Sequence, residues 1–271
     1  MPEALVVGAG PNGLAAAIHL ARHGVDVRVL EARDTIGGGA RSGELTVPGL
    51  HRRRPSRHPR CRHRHARPQP GGGAQDLRRC HAGRIKRSYE RYRQGSSAFK
   101  VDFAVEGPIP WTNPDCRRAG SVHLGGIFAE IADTERQRAQ GKMAGRPFVL
   151  VGQQYLADSS RSAGNVNPIW AYAHVPFGYT GDATAAIVDQ IERFAPGFRD
   201  RLSATVSTGT AELTAYNPNY IGGDILGGNT RHAGRVRVDG DPRAKMNWSR
   251  SLAHGLCGCH AAESALRWLR L

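Results

Sequence analysis

Apolar and polar positions fall into three regimes along the 271-residue chain. The opening reads ALVVGAGPNGLAAAIHLARHGVDVRVLEARD from Ala4, and its first four residues form an apolar run that breaks at a glycine-rich turn. Leu14, Ile18 and Ala21 then recur at helical spacing until Gly24 supplies a stop, and Val25 to Leu30 reads as a second strand. The predicted order is strand, helix, strand. The second regime, HRRRPSRHPRCRHRHARPQP at 51–70, holds no Leu, Ile, Val, Met, Phe, Tyr or Trp. Such a stretch has nothing to bury.

The third regime returns to ordered patterns. Phe99, Val101, Phe103 and Val105 alternate with Lys100, Asp102 and Ala104 as a half-buried strand should, which would turn Lys100 and Asp102 to solvent. RPFVLVGQQ and IWAYAHVP read as further strands, each punctuated by Gly or Pro. Asp182 is placed to cap a helix whose Ile187, Ile191 and Phe194 share a face before Pro196-Gly197 ends it. Strands in series with few helices between them predict an antiparallel sheet. At the end, Leu256, Ala261, Ala265 and Leu269 predict a helix with a small-residue apolar face.

Charge changes the picture less than its total suggests. The net charge is +15, but 51–88 carries thirteen Lys or Arg against the single acid Asp76, which leaves +3 for the other 233 residues. The body of the protein is close to neutral. Arginine tracts do bind phosphates, so a nucleic-acid-binding protein using 51–88 as a basic arm is the alternative function class. The tract has no aromatic residue for base stacking and no recognised nucleic-acid module beside it, so no specific nucleic-acid partner is expected. Five cysteines without regular spacing, and no signal peptide at the start, point to a reduced, cytoplasmic setting. No apolar run is long enough for a transmembrane span. Cys61, His63, His65, Cys80 and His81 match no familiar zinc spacing, and no metal is expected.

Candidate chemistry sits in the opening. Gly8-Ala-Gly10-Pro11-Asn12-Gly13 joins the first strand to the helix, and Glu31 ends the second strand eighteen residues beyond Gly13. Each residue type has a task in holding a dinucleotide. Gly8 permits the tight turn, Gly10 lets backbone approach a pyrophosphate, Gly13 allows helix to pack on strand, and Glu31 can accept from ribose hydroxyls. A lone glycine turn would mean little; strand, turn, helix, strand and acid agree here in order and spacing. Gly37-Gly38-Gly39, followed by Arg41, makes a second glycine turn just past Ala32 and Arg33.

That doublet of turns resembles the phytoene dehydrogenase-like FAD-dependent oxidoreductases, within the phytoene desaturase and amine oxidase flavoprotein superfamily. SSAFKVDFAVEGPIPWTNPDCRRAGSVHLGG, WAYAHVPFGYTGDATAAIVDQIERFAPGFRDRL, AYNPNYIGGDILGGN and the closing HGLCGCHAAESALRWL are similar to that family in the same order along the chain. The resemblance implies an α/β fold: a Rossmann-like FAD-binding domain with an antiparallel-sheet substrate domain. It assigns 1–50 to the FAD-binding domain, 96–229 to the substrate domain and 254–271 to a C-terminal FAD-domain helix. Segments 51–95 (basic, disordered or out of frame) and 230–253 (irregular) depart from the family, so the fold is expected to be incomplete.

FAD is then the implied cofactor, held by Gly8, Gly10, Pro11, Asn12, Gly13, Glu31, Ala32, Arg33, Gly37, Gly38, Gly39 and Arg41, with Gly255 and Gly258 leaving room at the start of the C-terminal helix. The implied chemistry is hydride removal from a small, apolar substrate to the flavin, with reoxidation by an acceptor that no motif identifies. The cofactor carries that reaction, so no side chain is named as catalytic. His174 reads either as a core or surface histidine or as a residue facing a substrate cavity. Missing connections between the cofactor-binding ends predict weak flavin retention and low or no turnover.

Overall fold

The computed structural model describes residues 4–41, 45–48, 50, 94–226, 236–237, 245–246 and 256–269. The basic tract, with Cys61, His63, His65, Cys80 and His81, lies outside them, as does Gly255. Among the described residues the chain divides into two units. One holds 4–41 and the segments from 236 onward; the other holds 45–48, Leu50 and 94–226.

In the first unit, strands β1 (Ala4–Val7) and β2 (Val27–Leu30) pair in parallel, with Ala4 opposite Val27 and Val7 opposite Leu30. Parallel neighbours need a crossover, and helix α1 (Pro11–Arg22) supplies it. Pro11 suits the first helical position because its missing N–H would have had no partner there. The face that α1 buries differs from the predicted one. Ala17 and Leu20 are buried, while Ile18 is 53% exposed and Ala21 is also exposed. Contact at Gly13 sets the rotation of the helix, and small residues follow it inward.

The second unit is built on one antiparallel sheet. Strands β3 (Ser97–Glu106), β4 (Ser121–Leu124), β5 (Val149–Gly152), β6 (Val166–Val175) and β7 (Leu202–Thr208) stand in the order β4-β5-β6-β3-β7. Every pairing is antiparallel, and a register shift at Ala104/Val105 marks a bulge against β7. Helices α2 (Phe128–Ala139), α3 (Thr184–Phe194) and α4 (Thr210–Tyr216) complete the unit.

One face of the sheet makes the core. Val101, Phe103, Val149, Val151, Ala171 and Ala173 pack with Ile187 and Ile191 of α3 and with Phe198, whose ring meets Phe103 edge to face at 5.5 Å. Asp182 accepts the Thr184 N–H at 2.7 Å and so satisfies an orphan donor at the start of α3. Phe194, expected on the buried face, is only partly buried at its margin. Trp111 is buried because its indole N–H donates to Gln153 Oε1 at 3.0 Å, while Gln153 Nε2 donates to the Cys116 and Ala119 carbonyls. A buried polar group held this way costs little.

An ion-pair network ties α2 to α3. Glu130 accepts from the Arg193 guanidinium at 3.0 and 3.1 Å, from Arg146 at 3.3 Å and from the Ile127 N–H. Led by the Arg193 hydrogen bonds, these partners hold its carboxyl at about 2 against an ordinary value of 4.5. A depressed carboxylate stabilises the fold above its ordinary pKa and loses that contribution as pH falls toward the depressed one. Glu130→Gln should therefore melt below the parent at pH 6, and the two curves should converge near pH 2. Thermal melts across that range check this; a constant offset would contradict it.

The first unit closes with the C-terminal chain. Strands β8 (Val236–Arg237) and β9 (Lys245–Met246) form a two-residue antiparallel pair, and helix α5 (Leu256–Leu269) follows. Ala262 and Leu266 of α5 join Leu20 and Val25 in a small core bordered by Ala4, Val6, Ala16 and Val27. The buried stripe is Gly258, Ala262 and Leu266, and Ala261, expected to lie within it, is exposed. No described helix is long and apolar enough to cross a membrane.

Candidate dinucleotide-binding site

The turn between β1 and α1 is shaped by two glycines. Gly8 has φ +97, a conformation that side-chain-bearing residues rarely adopt, and its N–H donates to the Leu30 carbonyl at 2.6 Å. A Cβ on Gly13 would stand 1.9 Å from the Gly8 carbonyl oxygen and 3.5 Å from Val6 Cγ1. Only glycine lets the helix start this close to the turn. Gly10 caps α1 in extended conformation without a side-chain hydrogen bond, and the first turn carries no acid. The positive end of the helix therefore has no acidic side chain of its own first turn beside it.

Glu31 is fixed before any ligand arrives. Its carboxylate accepts the Ala9 N–H at 2.6 Å and the Arg33 N–H at 3.0 Å, which ties the end of β2 to the first glycine turn. A carboxylate offers about four acceptor sites, so two backbone donors leave capacity for hydroxyls. The second glycine turn is drawn to the same place. Gly37 N–H donates to the Ala9 carbonyl at 2.8 Å, and a Cβ on Gly38, whose φ is +55, would stand 3.1 Å from Gly10 Cα. Arg41 locks that turn by donating to the Gly38 carbonyl at 2.9 Å. Two glycine loops distant in sequence meet backbone to backbone.

Gly258 lies beside them at the start of α5, where a glycine was expected to leave room: a Cβ there would stand 1.9 Å from the Asn12 carbonyl oxygen and 3.1 Å from Ala16 N. Asn12 is the second residue of α1 and Gly258 the third of α5, so the two helices meet at their N-terminal ends. Two positive dipole ends converge on one side of the glycine turn.

Polar residues of the second unit were misread from the sequence. Lys100 and Asp102, expected to face solvent, are 8% and 5% exposed and pair with each other. They share a face of the sheet with β6 residues, because Lys100 stands opposite Tyr172 and Asp102 opposite Trp170. On that face Trp170 and Tyr172 lie 6.0 Å apart with rings 7° from parallel, and His174 follows 5.6 Å from Tyr172. Alternation signalled that these side chains share a face. It could not signal that the face is covered.

Residues 6–77 match the NAD(P)-binding Rossmann-like domain family. The chain is 50% identical over 48 residues to pyridine nucleotide-disulfide oxidoreductase domain-containing protein 2 of Mus musculus and to that of Rattus norvegicus. It is 55% identical over 42 residues to hydroxyneurosporene desaturase of Cereibacter sphaeroides. The matches cover 18% of this chain for the first two and 16% for the third, and in each case 8% of the relative's own length. The chain therefore carries a Rossmann-like nucleotide-binding region of a kind found in oxidoreductases.

Proposed function

We propose that the protein is an FAD-dependent oxidoreductase of the phytoene dehydrogenase-like kind, which removes hydride from a small, apolar organic substrate. The observation that carries this reading is the backbone contact between the two glycine turns, with Gly38 against Gly10 and Glu31 clamped between strand end and turn. A single turn serves any dinucleotide; the second, at Gly37-Gly38-Gly39, favours FAD, as does the likeness to a desaturase. FAD supplies the hydride acceptor when bound. The chain supplies position: Gly8, Gly10, Pro11, Asn12 and Gly13 would take the pyrophosphate at the α1 N-terminus. Glu31, with Ala32 and Arg33 behind it, would take the ribose. Gly38, Gly39 and Arg41 would shape the second loop, and Gly258 would bring the α5 N-terminus alongside.

Isothermal titration with FAD and with NADPH tests this reading. FAD should bind more tightly, through its ADP half. Because much of the family's connecting chain is replaced, the purified protein should carry little flavin and turn over slowly or not at all. Tighter NADPH binding with no measurable FAD affinity would overturn the cofactor assignment, and stoichiometric flavin that bleaches with substrate would overturn the expected weakness.

A further inference from the structure

We propose that His19 and His23, one helical turn apart at the C-terminal end of α1, hold a divalent transition-metal ion such as Zn²⁺ or Cu²⁺ between their rings. The site lies within the first unit, at the end of α1 away from the glycine turn. It stands apart from the proposed function, and its test needs no flavin.

Residues four apart on a helix are surface neighbours, and two histidines at that spacing present two nitrogens to one metal ion. Here the rings already meet, with centroids 4.8 Å apart and planes tilted by 32°. A metal sits about 2.0–2.1 Å from a ring nitrogen and hence roughly 3.2 Å from the ring centroid, so two rings sharing one ion at a right or tetrahedral angle have centroids roughly 4.5–5.2 Å apart. The observed separation falls inside that interval. His23 is exposed and His19 half-buried, which leaves the pair open to an ion in solution.

A hydrogen bond fixes which nitrogen of His23 is available. Its Nδ1 lies 2.8 Å from the His19 carbonyl oxygen, and a carbonyl only accepts, so in the neutral ring Nδ1 carries the proton and Nε2 the lone pair. Metal-binding histidines are oriented in the same way, with one ring N–H donated to a backbone carbonyl and the other nitrogen on the metal. Carbonyl dipoles of the last helical turn concentrate negative charge beside His23, the cap residue, and favour a cation there. Arg22 stands at the same end, but it is exposed and water screens its charge. Among the described residues no set of three metal-ligating side chains occurs, so the two imidazoles would share the ion with water. Imidazole ligands suit zinc, nickel and copper, and copper should be held the most tightly.

Titration of the full chain, labelled with ¹⁵N-histidine, with Zn²⁺ tests the proposal. The ring signals of His19 and His23 are identified by their loss in His19→Gln and His23→Gln. In the parent both should move along one binding curve, with the His23 change at Nε2. In each variant the surviving histidine should need at least about tenfold more Zn²⁺ to move, since loss of a group that only orients a ligand already costs about 10–100-fold. That mutual dependence separates chelation by the pair from binding at other histidines of the chain. Backbone amides of Ala21, Arg22 and Gly24, assigned in the parent, should also broaden as paramagnetic Cu²⁺ is added to saturation, a readout that needs no variant to fold. Ring signals that stay in place, a histidine that responds equally well without its neighbour, or unbroadened amides would each overturn the assignment.

Discussion

Gly13→Ala should weaken dinucleotide binding by roughly tenfold to a hundredfold, although the substitution adds a single methyl group. That methyl would stand 1.9 Å from the Gly8 carbonyl oxygen and 3.0 Å from its carbon, so the obstacle is backbone and cannot rotate aside. Either α1 withdraws or the turn opens. Both outcomes move Gly10 away from Gly38 and disturb the Ala9 N–H that Glu31 accepts. Overpacking typically costs about 1–3 kcal/mol, and a loss of that size in the bound state alone lowers affinity roughly tenfold to a hundredfold. Gly24→Ala is the control: Gly24 has φ +81, which the helical Gly13 does not share, but a Cβ there meets nothing within 4 Å. Isothermal titration of both variants should find affinity kept in Gly24→Ala and reduced by that factor in Gly13→Ala; parent-like binding by Gly13→Ala would refute the role given to this contact.

Asp102→Ala should strongly destabilise the second unit. Asp102 and Lys100 are both buried on β3, the strand between β6 and β7. Removing the carboxylate takes the Asp102 charge from beside a buried ammonium, and breaking a buried pair typically costs about 3–5 kcal/mol, which should lower the melting temperature by on the order of 10 °C. Replacing both residues with apolar ones of similar size, as in Lys100→Met with Asp102→Leu, should therefore recover most of the stability. Thermal melts of the two variants decide the point. If the double variant is no more stable than Asp102→Ala, the pair contributes in some way other than by mutual neutralisation.

The parts legible in the sequence were those that local backbone chemistry dictates. Glycines at 8, 10 and 13 between an apolar run and a helical period can hardly be anything but a tight strand-to-helix turn, because each spacing reports a constraint within a few residues. Alternation from Phe99 to Val105 likewise announced a strand with two unlike faces, and Gly or Pro marked where strands end.

What the tertiary structure decided was which face meets what. On α1 the period pointed to Leu14, Ile18 and Ala21, yet Ala17 and Leu20 are the residues buried; on α5 it pointed to Ala261, yet Ala262 is buried. Both helices are rotated by contacts at glycines, Gly13 on Gly8 and Gly258 on Asn12, and a glycine carries no weight in a hydrophobic period. Lys100 and Asp102 were misread for a related reason. Leu45, Thr46 and Leu50 come from half a chain-domain earlier to line a small cavity with Asp102, Gln154 and Pro168, so the polar face of β3 is enclosed. Period and alternation record how a segment divides its own side chains. Whether water or another segment lies against each side depends on chain that arrives from elsewhere, and only folding brings it there.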